Sequence, residues 1–290
     1  MTCDYATIVE ATKKILSEYS FPLTLRQIYY RLVANGMIPN KRSAYNSLSK
    51  WLVKAREDAA IDDTRIEDRS RSVIAHVNAY ESPDDFVSAA KDWFHNLGSE
   101  YYADLWETQA FHVEVWVEKD ALSQVIARVA GPFRVTVCPS RGYSSYSYIK
   151  RVAVDERLSA VDKPIVLLDF RDHDPSGLQM TEDLQTRFDR YADDLEIEVK
   201  RIALTIDQVK KHSLIPNPTK RVDSRSAKYV AQYGDQCWEL DAIPPDELQK
   251  LVTSAIKQHI DPSRWNAALE REQKDQAALK KRFANVELNI

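Results

Sequence analysis

Acidic residues follow two apolar stretches of the sequence directly. Glu118 comes after residues 111–117, and Asp172 and Asp174 come just after residues 165–170. Both stretches have the composition of buried β-strands, and a helical pattern follows each of them. Ligands of open α/β sheets bind at the carboxyl ends of the strands, so we expect the three carboxylates to converge there. Carboxylate oxygens suit a divalent cation, and the spacing therefore predicts a Mg²⁺ site.

Each acid also has an ordinary structural explanation. A Glu after a strand commonly begins a helix, and Asp172-His-Asp-Pro-Ser-Gly177 is typical of a turn. Taken singly, each is more often structural than catalytic. Their occurrence at two strand ends within one βαβ series favours the metal site.

A second reactive group is predicted on a helix over residues 25–34, with Thr24 as its N-cap. Arg26 and Tyr30 are four residues apart and share one face of this helix, whereas Tyr29 is predicted to point elsewhere. A guanidinium near a phenol favours the phenolate, and it also neutralises a phosphate under attack. A tyrosine nucleophile for phosphoryl transfer is thus chemically possible, whereas the spacing alone indicates only a stacking pair.

Length and composition describe a soluble globular protein with one large or two modest domains. The chain has 290 residues, of which 44% are hydrophobic and 29% charged. No apolar run reaches membrane-spanning length and the N-terminus lacks a signal peptide, so we expect a cytoplasmic protein with no membrane partner. The three cysteines form no CxxC pair, which argues against a disulfide scaffold and a cysteine zinc site.

The charge is unevenly distributed along the chain. A net charge of −4 argues against a nucleic-acid partner, yet residues 40–56 carry five basic residues and no acid. These basic residues are Lys41, Arg42, Lys50, Lys54 and Arg56. They fall mostly on a third predicted helix, residues 43–59, which follows helices at 5–19 and 25–34. Three short helices with a basic third one are typical of a helix-turn-helix or winged-helix DNA-binding unit, or of a plain three-helix bundle with a solvated basic face.

The middle of the chain alternates between strands and helices. We predict strands at residues 111–117, 133–137, 165–170 and 195–202, and helices at 120–130, 145–158 and 176–191. This alternation predicts an α/β fold with a mostly parallel sheet flanked by helices. Arg141 lies in a loop at the same rim as the acids, where it can contact phosphate.

Three other stretches complete the organisation. Residues 61–80 are predicted to form a wing or connector, and residues 83–102 a helix that bridges two domains. Two helices, at about 245–260 and 264–284, are predicted to close the chain.

Several of these motifs resemble those of a known family. Glu118-Lys-Asp, Arg141-Gly-Tyr and Asp172-His-Asp-Pro-Ser-Gly177 resemble a Toprim domain, the metal-binding α/β module of topoisomerases, primases and certain nucleases. Together with Leu25-Arg-Gln-Ile-Tyr-Tyr30, they make residues 24–241 similar to the A subunit of topoisomerase VI and its meiotic double-strand-break relatives. The resemblance implies four parts: a winged-helix tyrosine domain at 1–75, a helical connector at 76–107, a Toprim domain at 108–215 and a helical C-terminal extension at 216–290.

The resemblance also implies a mechanism. Tyr30 would attack a phosphodiester of double-stranded DNA to form a 5′-phosphotyrosyl link, and Arg26 would stabilise the pentacoordinate phosphate. Glu118, Asp172 and Asp174 would hold Mg²⁺. In the family the tyrosine of one protomer works with the acids of the other, so a homodimer that cuts opposite strands is implied. The DNA contacts would come from Lys41, Arg42, Lys50, Lys54, Arg56 and Arg141.

The sequence also departs from that family. The chain is shorter than a typical A subunit, and nothing in it resembles the ATPase subunit, so strand passage would need a separate GHKL-type ATPase partner. Asp169 and Arg171 flank the acidic pair, which leaves open which acids bind the ion, and Tyr29 stays an alternative nucleophile. The chain looks most like compact, stand-alone A-like proteins of archaea, bacteria and mobile elements, which implies a nucleoid-associated protein.

Two other functions remain open from the sequence. A Toprim nuclease would activate water instead, with Tyr30 reduced to packing or DNA contact. A non-catalytic DNA-binding or regulatory protein would have kept the fold without the chemistry.

Overall fold

The computed structural model describes residues 4–67, 79–140, 147–219, 226–284 and 286. The chain divides into two compact units, each built from two stretches. The first unit is Met1–Arg69 with Phe111–Gln258, and the second is Ser70–Ala110 with His259–Ile290. The candidate residues that the structure describes all lie in the first unit. The four parts expected from the sequence are functional modules, whereas these two units are defined by contacts within the fold. The four-part division stays a prediction.

The helices and strands of the described residues are numbered along the chain. The α-helices are α1 Tyr5–Ser17, α2 Leu25–Ala34, α3 Arg42–Glu57, α4 Pro83–Asn96, α5 Asp120–Ala130, α6 Pro175–Tyr191, α7 Ile206–Lys211, α8 Ser226–Tyr233, α9 Pro245–Lys257 and α10 Pro262–Ala284. The strands are β1 Leu23–Thr24, β2 Ile66–Glu67, β3 His112–Val117, β4 Thr136–Pro139, β5 Ile165–Phe170, β6 Ile197–Ala203, β7 Asn217–Pro218 and β8 Gln236–Cys237. A π-helix, Tyr148–Asp155, precedes β5.

A four-stranded parallel sheet forms the centre of the first unit, with strand order β4-β3-β5-β6. All six residues of β5 are buried, because a central parallel strand is covered by helices on both faces. One face packs on α6 and the π-helix through a cluster that includes Trp116, Leu184 and Phe188. The other face packs on α5, which also contacts α9. The predicted α/β fold, with a parallel sheet flanked by helices, is confirmed.

The N-terminal part of the first unit contains α1, α2 and α3, which pack against one another. Leu23 and Thr24 of β1 pair in parallel with Ile66 and Glu67 of β2. The predicted wing or connector covers residues 61–80, of which 68–78 lie outside the described residues. The three predicted helices are confirmed, and a winged-helix unit stays a prediction.

Some predicted boundaries of the sheet region were wrong. The second strand was expected at 133–137, but Gly131–Phe133 forms a 3₁₀ turn and Arg134 adopts a left-handed conformation with φ of 53°. The 3₁₀ turn and the left-handed Arg134 delay β4 to residue 136, although α5 ends at Ala130 as predicted. The helix expected at 145–158 begins on residues 145 and 146, which lie outside the described residues, and its described part is the π-helix Tyr148–Asp155.

The second unit is helical in its described part. Its two long helices, α4 and α10, contact each other, and the rings of Phe94 and Phe283 lie 5.1 Å apart. The backbone N–H of Ala103 donates to the buried carboxylate of Glu272 at 2.7 Å. The helix expected at 83–102 ends earlier, at Asn96. Within the described part of the chain, no helix combines the length and apolar character that crossing a membrane requires.

Candidate active site

The exit of β5 forms a tight turn that presents two carboxylates. Asp174 is the N-cap of α6, and its Oδ1 accepts hydrogen bonds from the backbone N–H of Gly177 at 2.6 Å and from Ser176 Oγ at 3.0 Å. Pro175 occupies the first helical position, where its missing N–H costs nothing. The motif therefore begins helix α6 and also places two carboxylates at the end of β5. The structural explanation of these acids is compatible with the functional one.

Gly177 is required by this turn, because a Cβ at that position would lie 2.2 Å from the carbonyl oxygen of Asp172. We expect Gly177→Ala to lower the free energy of unfolding by roughly 1–3 kcal/mol, since backbone must move to relieve the overlap. Gly131→Ala is the matched control, as no described atom lies within 4 Å of its Cβ position. Urea unfolding of both variants checks this, and equal stabilities would contradict it.

Asp172 is nearly buried and makes two short contacts through Oδ1. It accepts from the backbone N–H of Leu240 at 2.8 Å and lies 3.0 Å from the Nζ of Lys119. Burial raises the pKa of Asp172 to about 7, against the pull of Lys119 and with further help from the carboxylates of Glu118 and Glu239. Asp172 thus lies in a place with a surplus of negative charge.

Glu118 stands where β3 ends, beside the exit of β5, because its backbone N–H donates to the carbonyl of Phe170 at 3.0 Å. Its Oε2 is buried and has no hydrogen-bond partner among the described residues. Burial and the nearby carboxylate of Asp174 raise the pKa of Glu118, while Lys119 and Arg171 oppose the shift. Glu118 therefore lies near the acids that follow β5, as the positions of the strand ends predicted.

Asp169 is already engaged by other groups. The Nε of Arg171 lies 2.8 Å from both of its carboxylate oxygens, and Thr181 Oγ1 donates to it at 2.6 Å. Asp169 is 0% and Arg171 1% exposed, so the two form a buried pair that braces the turn. Asp169 is therefore a structural residue rather than a candidate ligand.

The tyrosine helix α2 begins with a capping box. Thr24 Oγ1 accepts from the backbone N–H of Gln27 at 3.2 Å, and Gln27 Oε1 accepts from the N–H of Thr24 at 2.9 Å. This reciprocal cap fixes the first turn, from which Arg26 projects. The predicted N-cap at Thr24 is confirmed.

Tyr30 is only 2% exposed, and its hydroxyl accepts a hydrogen bond from Asn217 Nδ2 at 2.8 Å. Burial and the carboxylate of Glu239 raise its pKa, and they outweigh the opposing effects of Asn217, Arg26 and Lys119. Arg26 does favour the phenolate, as expected, but the net shift of the Tyr30 pKa is upward because burial and Glu239 have the larger effect. Spacing on a helix reveals neighbours along the chain but not burial.

Arg26 is held by Glu239. Its Nη2 donates to Oε1 at 2.7 Å, and its Nε forms a second close ion pair with Oε2. Although burial raises it, the pKa of Glu239 lies below the ordinary value because Lys119 and Arg26 stabilise the carboxylate. The guanidinium also lies over the ring of Tyr45, 5.3 Å from its centre.

Tyr29 lies in the same cleft as Tyr30, which corrects the prediction that it points elsewhere. Its hydroxyl donates to Asn40 Oδ1 at 2.9 Å. The two tyrosine rings meet edge to face, with 5.3 Å between their centres. Both phenols are thus fixed by amide side chains from outside α2.

Sequence reasoning missed several residues of this site: Lys119, Asn217, Glu239 and Asp241. The last two are placed by a β-bridge between His173 and Trp238, whose N–H···O distances are 2.8 and 3.0 Å. A signal was present, because Glu239 and Asp241 alternate with buried Trp238 and Leu240. Carboxylates at alternate positions of an apolar stretch indicate that cations elsewhere in the fold pair with them, because a buried carboxylate needs a partner.

A single cleft of about 750 Å³ joins the tyrosine helix to the acidic turn. It is lined by Arg26, Tyr30, Asp172, Asp174 and Glu239, among others. Five of the predicted site residues, the fifth being Arg42, are thereby brought together within one chain, and Glu118 adjoins them through Asp174.

The basic residues of the third helix are less concentrated than the sequence indicated. Lys54 pairs with Asp58 at 2.7 Å and Arg56 with Asp63 at 3.2 Å, so acids outside residues 40–56 offset part of the charge. Arg42 lines the cleft, whereas Lys41 and Lys50 are exposed on the surface. Arg141 lies outside the described residues.

The donor set fits a hard divalent cation in its chemistry. Glu118 offers a buried oxygen without a hydrogen-bond partner, Asp174 lies close enough to repel it, and Asp172 is shared with Lys119. No group of three His, Cys, Asp or Glu side chains among the described residues is arranged closely enough to hold an ion. By the chemistry of their oxygens, and not by a preformed arrangement, Glu118, Asp174 and Asp172 are the residues that would hold Mg²⁺.

Comparison with known proteins adds no relative to this description. None of the protein-family models matches this sequence, and a search of curated proteins finds no match either. The functional argument consequently rests on the geometry of the cleft and on the motifs of the sequence.

Proposed function

We propose that this chain is a Mg²⁺-dependent DNA-cleaving enzyme of the topoisomerase VI A-like type, with Tyr30 as the nucleophile. One observation carries the proposal. Tyr30 and Arg26, from the N-terminal helices, share a cleft with Asp172 and Asp174, from the exit of the central strand. A nucleophile, a phosphate-binding cation and metal-type ligands are the parts that phosphoryl transfer to a tyrosine requires.

The proposed reaction is a transesterification. Tyr30 Oη forms a bond to phosphorus and loses its proton, while the bond from phosphorus to the 3′ oxygen breaks and that oxygen takes up a proton. Arg26 exchanges the carboxylate of Glu239 for the phosphate, since both anions accept a two-pronged guanidinium contact. Bound to Glu118, Asp172 and Asp174, Mg²⁺ would supply positive charge to the phosphate. The products are a 5′-phosphotyrosyl link and a 3′ hydroxyl.

The charge balance of the cleft supports a metal requirement. Among the described residues, five cations line the cleft or act on its acids, and they face six carboxylates. The cations are Arg26, Arg42, Lys119, Arg171 and Arg201, and the carboxylates belong to Glu118, Asp169, Asp172, Asp174, Glu239 and Asp241. The excess of carboxylates would repel a phosphate in this cleft unless further positive charge came with the phosphate. A divalent ion supplies that charge.

The finer architecture belongs to the proposal as well. The parallel sheet with acids at its carboxyl ends is compatible with a Toprim-like core, and α1 to α3 are compatible with a DNA-binding domain. The proposed substrate is double-stranded DNA, cut on opposite strands by a homodimer in the nucleoid. Strand passage would require a GHKL-type ATPase partner.

The cleft contains the tyrosine and the acids of the same chain, which favours cleavage in cis over the exchange between protomers that the resemblance implies. Heterodimers made from Tyr30→Phe and Glu118→Gln chains separate the two arrangements. In cis both sites are dead and the plasmid stays intact, which is the result we expect. In trans one site keeps both groups, so nicked plasmid would contradict a cis site.

The test of the function is covalent capture. The protein is incubated with supercoiled plasmid and Mg²⁺, the reaction is quenched with detergent, and linear DNA is compared before and after protease treatment. We expect breaks that carry protein and that EDTA prevents. Binding without cleavage would instead indicate a DNA-binding protein.

A hydrolytic nuclease is the second candidate. Tyr30 is buried, its hydroxyl is hydrogen-bonded to Asn217 and its pKa is raised, and each of these makes it a weaker nucleophile. In that case Tyr30 packs the cleft and water attacks the phosphate. The same assay distinguishes this outcome, since the ends would be free of protein.

A further inference from the structure

Lys119 lies at the centre of three carboxylates in the wall of the cleft. Its Nζ is 3.0 Å from Asp172 Oδ1, 3.1 Å from Glu239 Oε2 and 2.7 Å from Asp241 Oδ2. The Lys119 side chain is 22% exposed, and its pKa is raised well above the ordinary value, because the attraction of Asp172, Asp241 and Glu239 exceeds the effect of burial. Three ion pairs at these distances hold the Lys119 ammonium as a positive charge in the wall of the cleft.

These carboxylates come from two separate segments of the chain and converge on this nitrogen. Asp172 follows β5, whereas Glu239 and Asp241 follow β8. The side chain of Asp241 is 1% exposed, and its second oxygen, Oδ1, has no hydrogen-bond partner among the described residues. Burying a carboxylate in this way is costly unless a cation compensates it.

We infer that Lys119 is a resident cation, whose ammonium occupies a place where a divalent ion would otherwise bind Asp172, Glu239 and Asp241. The lysine closes this position to metal, so that the ion held through Glu118 and Asp174 has no second ion beside it. The inference goes beyond the proposed function, because it concerns charge compensation and holds whether or not the chain cuts DNA.

The chemistry of the three ligands supports this exchange. The N···O distances around Nζ are those of charge-assisted hydrogen bonds, which run about 2.7–2.9 Å or slightly longer. Mg²⁺ binds carboxylate oxygens at about 2.0–2.1 Å, so the same oxygens can close on an ion with small shifts. Removing the lysine stem leaves a polar space beside three carboxylates, of which Glu239 keeps its ion pair with Arg26.

The position also connects the two halves of the cleft. Glu239 accepts from Lys119 through Oε2 and from Arg26 through Oε1 and Oε2. A single charge on Lys119 leaves Glu239 free to hold Arg26, whereas a divalent ion would draw the carboxylate toward itself. The resident lysine thereby keeps the guanidinium beside Tyr30.

The test counts bound Mn²⁺ by the loss of the free-ion signal in electron paramagnetic resonance, for the wild-type chain, Lys119→Ala and Lys119→Arg. We expect Lys119→Ala to bind one Mn²⁺ per chain more than the wild type, and Lys119→Arg to bind the same number. Adding Asp241→Asn to Lys119→Ala should remove the extra ion. No gain in the Ala variant, a gain in the Arg variant, or a gain that survives Asp241→Asn would overturn the inference.

A Lys119→Ala chain that does not fold without metal still decides the matter. Recovery of its circular dichroism spectrum on addition of millimolar Mn²⁺ supports the inference, and failure to recover contradicts it. The comparison is a difference from the wild type, so it stays valid if the wild-type chain binds no Mn²⁺. That last result would count against the proposed function alone.

Discussion

Tyr30→Phe is expected to abolish protein-linked DNA breaks while leaving the fold in place. The variant removes the attacking oxygen, and loss of a nucleophile lowers the rate on the order of 10³-fold or more. Phenylalanine fills the same space, so the main structural loss is the hydrogen bond from Asn217, which costs about 1–3 kcal/mol when the amide is left unpaired. Covalent capture and thermal unfolding measure the two effects separately.

Tyr29→Phe is the matched control for this variant. Tyr29 is the adjacent residue of α2, lines the same cleft and likewise loses its hydroxyl contacts, which are to Asn40 Oδ1 and to the carbonyls of Lys41 and Pro39. We expect it to keep forming covalent breaks. If Tyr29→Phe loses the covalent breaks and Tyr30→Phe keeps them, Tyr29 is the nucleophile. If both variants make breaks that carry no protein, the enzyme hydrolyses DNA.

Glu118→Gln is expected to separate stability from activity. Burial and Asp174 raise the pKa of Glu118, so the folded state favours the protonated form and stability declines as the pH rises through that pKa. A neutral amide removes this cost, and we expect the metal-free variant to melt at a higher temperature than the wild type at pH 8. Cleavage should fall by at least about 100-fold, because a ligand for the charge-neutralising ion is lost.

Exposed Glu196→Gln is the control, since it changes the net charge equally at a distance from the cleft. Mg²⁺ should raise the melting temperature of the wild type and of Glu196→Gln but not that of Glu118→Gln. If Mg²⁺ stabilises Glu118→Gln as strongly as the wild type, Glu118 is not a ligand.

Strongly patterned elements were predictable from the sequence, and short ones were not. Strand β5 and helix α2 have the expected bounds, because a continuous apolar run and a capped amphipathic pattern each allow one interpretation. The stretch between β6 and α9 contains α7, with six residues, and the two-residue strands β7 and β8. Such elements are too short to show a period, and packing decides them.

The same distinction applies to the site. The position of Glu118 and Asp174 follows from strand ends, which are local features. The pairing of Lys119 with Glu239 and Asp241 depends on the bridge between His173 and Trp238, which joins distant parts of the chain. Spacing alone carries no information on such a contact, so the partners of the predicted residues emerged only from the fold.

The most direct measurement of the central claim is the identity of the residue that becomes linked to DNA. The captured complex is digested with nuclease and trypsin and analysed by fragmentation mass spectrometry. Trypsin cuts after Arg26 and Arg31, so both tyrosines lie in one short peptide, and the fragment ions between Tyr29 and Tyr30 assign the adduct. We predict a nucleotide 5′-phosphate on Tyr30; an adduct on another residue, or cleaved DNA with no adduct, would contradict the account.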